Sequence, residues 1–66
     1  MRHLLTEGTD VTVIYLATSE HAVVERVDDA GRTVTVVTDG GSVLEFHLAA
    51  SAHFIARDRS ARLRIT

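Results

Sequence analysis

Short runs of β-branched and aromatic residues, each closed off by turn chemistry, commit this chain to β-structure. Val11-Thr12-Val13-Ile14-Tyr15-Leu16 is the first such run, and its branched and aromatic side chains suit a pleated surface better than a helix. The small and polar Ala17-Thr18-Ser19-Glu20 make a connection, after which His21-Ala22-Val23-Val24-Glu25-Arg26-Val27 resumes the strand pattern. Asp28-Asp29-Ala30-Gly31-Arg32 reads as a tight turn: the aspartates cap it through their carboxylates, and Gly31 takes the positive φ that closes a short hairpin. Thr33-Val34-Thr35-Val36-Val37-Thr38 alternates as a third strand. Asp39-Gly40-Gly41 then contains the Asp-Gly pair that suits a type I′ turn.

In the next run, Ser42-Val43-Leu44-Glu45-Phe46-His47-Leu48, a period of two places Leu44, Phe46 and Leu48 on one face, the expected core face, and Val43, Glu45 and His47 on the other. Residues 49–56 carry two patterns. Leu48, Ala52 and Ile55 fit a helical stripe, whereas Phe54 and Ala56 fit strand alternation; one helical turn near residues 49–52 leading into a short strand satisfies both. Arg57-Asp58-Arg59-Ser60 reads as a turn. Ala61-Arg62-Leu63-Arg64-Ile65 is a terminal strand with Leu63 and Ile65 inward and Arg62 and Arg64 outward. The expected fold is all-β, a small antiparallel meander of five or six strands closed into a single barrel spanning residues 1–66.

Length and composition bound what such a barrel can be. A chain of 66 residues builds one core and hides only about 60% of its unfolded surface, so its stability margin is small. It contains no cysteine, which removes disulfides, thiolate metal sites and a cysteine nucleophile. Support must come from tight packing or self-association. Apolar residues form 45% of the chain, enough to leave apolar surface for a protein partner or a homodimer. No apolar run approaches the roughly 20 residues of a membrane span, and Met1-Arg2-His3-Leu4-Leu5-Thr6-Glu7 offers no signal-peptide hydrophobic region. A cytoplasmic protein without a membrane partner is the expectation.

At the level of strands and turns, residues 9–65 resemble the SH3-like small-barrel group: consecutive hairpin strands, a glycine-containing turn, and a short helical turn before the last strands. That resemblance implies a peptide-binding barrel. Proline-rich peptide grooves in the group are lined by several aromatics including tryptophan, and methyl-lysine cages of Tudor-type barrels also need several aromatic faces. This chain has no tryptophan, one tyrosine and two phenylalanines, so neither recognition mode is expected here.

Few residues carry chemistry. His47 and His53 with Glu45 are the nearest approach to a metal set, but their spacing matches no zinc motif, and the plainer reading is histidines on an outer sheet face. Ser19, Ser42, Ser51 and Ser60 fall in turns or at strand ends, where hydroxyls bond the local backbone. Gly40-Gly41 lacks the helix and lysine of a phosphate loop. So small a barrel also has little volume for a ligand pocket. No catalytic, metal or cofactor site is expected.

The charge distribution is more informative. Through Ala50 there are three arginines against eight acids, while from Ser51 onward Arg57, Arg59, Arg62 and Arg64 face only Asp58. A basic tail therefore sits on an acidic body of net charge −2. All basic residues are arginine, which suits phosphate or carboxylate recognition by the planar guanidinium, although genomic composition explains the same bias. Two readings follow: a non-catalytic interaction or self-association module, or an accessory nucleic-acid-binding protein using these four arginines. Outward charges that protect a sheet edge from aggregation account for the same row without a ligand.

Overall fold

The alternating runs do become strands. A computed structural model describes residues 5–50, 53–57 and 60–65, with β1 (Asp10–Ile14), β2 (Ser19–Asp28), β3 (Thr33–Thr38), β4 (Val43–Leu48), β5 (Phe54–Ala56) and β6 (Arg62–Ile65). Each strand pairs antiparallel with the next, and β6 pairs back onto β1, closing the barrel in sequence order. All-β architecture is thus found as expected, with six strands rather than five. β1 stops at Ile14 because the Tyr15 amide donates to the Thr18 carbonyl (2.8 Å), turning the chain where the sequence pattern ran on to Leu16.

Among the described residues the single helical turn is a 3-10 turn at Asp29–Gly31. The helical turn expected near residues 49–52 falls partly outside the described residues, and Ala49 and Ala50 are not helical. The stripe of Leu48 and Ile55 is resolved in favour of strands. Leu48 lies opposite Phe54, and His47 opposite Ile55, across the β4–β5 pair.

A six-stranded barrel has a narrow interior, and the sequence fills it with small branched side chains. Val11, Val13, Val24, Val34, Val36 and Phe46 are fully buried, with Ala22, Ala61, Leu63 and Leu5 completing the core. Phe46 is the largest of these, so the packing is organised around one ring. Thr38 is the buried polar residue; its Oγ1 accepts from the Ser42 amide at 3.1 Å, so burial leaves it satisfied. Face parity in β4 is as expected, but depth varies along it: Phe46 is buried, Leu44 half-buried and Leu48 exposed at the barrel rim. Ile65, expected inward, is likewise half exposed because β6 ends there.

β2 is long because it serves two neighbours. Residues 19–23 pair with β1 and residues 22–28 with β3, with a register shift between Val24 and Arg26 that adds the bend needed to wrap a closed sheet. The first hairpin turn has the expected positive φ at Gly31 but not the expected cap, and the second differs in turn type. The type I′ conformation belongs to the first: Asp29 O accepts from the Arg32 amide at 3.1 Å, around Ala30 (φ 56°) and Gly31 (φ 90°). Asp28 does not cap this turn; its carboxylate accepts from Arg26 Nε at 2.7 Å instead.

At the second hairpin the Asp39-Gly40 pair has no positive φ. The Gly41 amide donates to Thr38 O at 2.8 Å and Gly41 takes φ 89°, the pattern of a type I turn followed by a left-handed glycine bulge. The second glycine of the pair makes this longer loop available, and the backbone uses it.

Candidate functional site

The interior of the barrel is filled, but its outside is not smooth. β5 is three residues long and β6 four, and an open groove of about 890 Å³ runs over this part of the wall. The expectation that so small a barrel has little volume for a ligand pocket is therefore corrected. The space lies between outward side chains rather than within the barrel, so core size does not limit it.

Strand register shows how the groove floor is made. His47 on β4 lies opposite Ile55 on β5, Ile55 opposite Arg62 on β6, and Arg62 opposite Ile14 on β1. Outward positions on four adjacent strands thus form one row, with an arginine between two isoleucines. Beyond it the β1–β2 turn carries Leu16, fully exposed at 102%. Leu48 adds a further exposed apolar side chain toward the other end. Arg57, His53, Ser60 and Tyr15 add polar groups to the lining.

Arg57 and Arg62 line the groove, whereas Arg64 lies on the outward face of β6 opposite Thr12 of β1. Arg59 lies outside the described residues. Arg57 reaches Glu45 Oε1 at 3.8 Å and is otherwise open to solvent, a contact of little energetic weight at an exposed position. Among the described residues no carboxylate is placed to pair with Arg62 or Arg64.

His47 and His53 both line the groove. Among the described residues no group of three His, Cys, Asp or Glu side chains is placed to hold an ion. His47 Nε2 is shielded from water and 3.3 Å from Glu45 Oε1, an ionic approach outside hydrogen-bonding geometry. Tyr15 is anchored at the groove edge: its hydroxyl donates to Glu20 Oε1 at 3.2 Å. Burial, and then that carboxylate, push the phenol above its usual pKa.

A different cluster escaped sequence reasoning. His21 Nδ1 is 2.8 Å from Asp39 Oδ1, and its Nε2 is 3.0 Å from Asp10 Oδ1. Hydrogen bonds to Asp39 and then Asp10 raise its pKa above the usual histidine value, because two carboxylate neighbours stabilise the protonated ring. The residues come from β1, β2 and the turn after β3, so only the register brings them together. The available signal was parity: Thr12 lies opposite His21, and Asp10 is the next outward residue on β1.

A second apolar row crosses the other wall, where Val23, Val37 and Val43 are successive cross-strand neighbours on β2, β3 and β4. Val23 and Val37 are half-buried and Val43 is exposed. Asp10 lies opposite Val23, so this row is flanked by acid where the groove is flanked by arginine. No helix among the described residues is long and apolar enough to cross a membrane. Comparison with known protein families, with curated proteins and with solved structures returns no match for this chain.

Proposed function

We propose that this chain is a non-catalytic, SH3-like small-barrel interaction module of the cytoplasm that receives a protein partner in the groove over β5 and β6. The observation that carries this reading is the grouping of Leu16, Ile14, Ile55 and Leu48 along one open recess. Single exposed apolar side chains are ordinary on any protein surface, but a contiguous set rimmed by polar groups marks contact sites. The SH3-like description is supported by the consecutive antiparallel hairpins and by closure through the terminal strand.

Self-association is the narrower form of this reading, and the charges weigh against it at the groove. A two-fold interface places the same patch on both copies, so Arg57 and Arg62 would face their own counterparts. A partner distinct from this chain avoids that repulsion.

A photo-crosslinking side chain at Leu16 tests the proposal in cells, with Thr35 on the far wall as control. A discrete adduct from position 16 that disappears with Ile55→Ser is expected. No adduct, or the same adducts from both positions, contradicts the reading, and an adduct of twice the chain mass points to self-association.

Nucleic-acid binding by Arg57, Arg59, Arg62 and Arg64 is a second reading, supported by the outward placement of Arg62 and Arg64 on one strand. It predicts affinity that falls steeply with salt and with Arg→Gln changes. With one tyrosine and no tryptophan, bound nucleic acid would dominate the ultraviolet spectrum of the purified protein. A spectrum free of nucleic acid together with no binding at low salt ends this alternative.

A further inference from the structure

We infer that the groove accepts an acidic segment of a partner protein, with carboxylates flanked on both sides by apolar side chains. This rests on the interaction-module reading and specifies its ligand. Among the described residues the lining contains two arginines and two histidines and no acidic residue, on a chain whose net charge is −2. The sign of the surface is locally reversed where apolar side chains are exposed. Glu45, a carboxylate beside the groove, is already approached by His47 and Arg57 and is not placed to pair with Arg62.

The order of the row sets the order of the ligand. Neighbouring strands are about 4.8 Å apart, so Arg62 lies one strand from Ile55 on one side and one strand from Ile14 on the other. A carboxylate held by the Arg62 guanidinium brings the side chains on either side of it over the two isoleucines. Leu16 and Leu48 extend apolar contact in both directions. Apolar, acidic, apolar is the sequence of chemistries that such a floor reads.

Other occupants fit less well. A simple amphiphile has its charge at one end, whereas here the cation is central and apolar contacts lie on both sides. Nucleic acid satisfies the arginines but needs flat faces for its bases, and the aromatic in the lining is Tyr15, whose hydroxyl is engaged by Glu20. A second copy in two-fold symmetry sets cation against cation.

Selection of a display library of random short peptides on the intact folded chain tests the inference. Enriched peptides should carry Asp or Glu interspersed with Leu, Ile, Val or Phe. Synthetic copies should lose about fivefold in affinity with Arg62→Gln, the scale of one exposed ion pair, and about tenfold with Ile55→Ser, the scale of one apolar contact. Amide replacement of the peptide's acids should reproduce the Arg62→Gln loss. Leu16→Ser, at a fully exposed turn, provides an apolar variant that keeps the fold if Ile55→Ser does not.

Enrichment of neutral or basic peptides, indifference to Arg62→Gln, or no enrichment overturns the acidic ligand. If such peptides still lose binding with Leu16→Ser or Ile55→Ser, the groove remains a protein-contact site and only its ligand class was wrong. Binding indifferent to all three substitutions removes both claims.

Discussion

The two walls of this barrel are built to different standards. On one, β2, β3 and β4 are ten, six and six residues long, and β3 pairs along its whole length with β2 and along residues 33–37 with β4. On the other, β5 has three residues, and among the described residues two pairs join it to β6. The long wall holds most of the fully buried side chains: Val24, Val34, Val36 and Phe46. The short wall holds the half-buried, outward-facing isoleucines and the groove arginines. If the groove is the contact site proposed above, stability and recognition are largely separated in space, with Ala61 shared between core and groove.

That separation is broken most directly by substitutions of matched size on the two walls. Phe46→Ala should cost about 3–5 kcal/mol, enough to unfold much of the population of so small a domain in a urea titration. Phe54→Ala, half-buried on β5, should cost distinctly less in the same titration. Equal losses would mean that the short wall is as much part of the core as the long one. Leu16→Ser should change stability by less than about 0.5 kcal/mol, because that side chain is fully exposed.

The turns sharpen the comparison at smaller scale. Ala30 holds a left-handed conformation (φ 56°, ψ 34°), which costs a side-chain-bearing residue about 1–2 kcal/mol. Ala30→Gly or Ala30→Asn should therefore raise the thermal midpoint by a few degrees, with the greater flexibility of unfolded glycine offsetting part of that gain. Gly41→Ala should lower it, since Gly41 sits at φ 89°. A midpoint unmoved by either change would show that the long wall does not depend on its turns.

The smallest expected effect concerns pH. His21 has a folded-state pKa raised by Asp39 and Asp10, so its contribution to stability is fully present below the unfolded value of about 6.5. It is lost as pH rises through the raised folded value. Thermal midpoints measured across this range should fall with rising pH in the wild type and fall less in His21→Gln. The exposed position of the cluster keeps the effect small.

Much of this architecture was legible in the residues, and what was not has a common cause. Alternation alone located β3, and the parity of Leu44, Phe46 and Leu48 was read correctly. Their different depths were not, because depth depends on distance from the barrel rim and parity does not encode it. Choosing between the two hairpin turns required knowing which glycine takes the positive φ, and Asp39-Gly40-Gly41 offers two. Arg57 and Arg62 were singled out by composition, but their shared groove depends on Ile14 and Leu16, distant in sequence and joined to them only by β6–β1 pairing. The grouping of Asp10, His21 and Asp39 depended on register in the same way.

The central claim is that the short wall, not the valine row of the long wall, receives the partner. Mapping backbone amide chemical shifts of the labelled chain during titration with a selected acidic peptide tests it most directly. The account predicts shifts at Ile14, Leu16, Ile55 and Arg62, with Val23, Val37 and Val43 unmoved. Shifts confined to those three valines and their neighbours would contradict it.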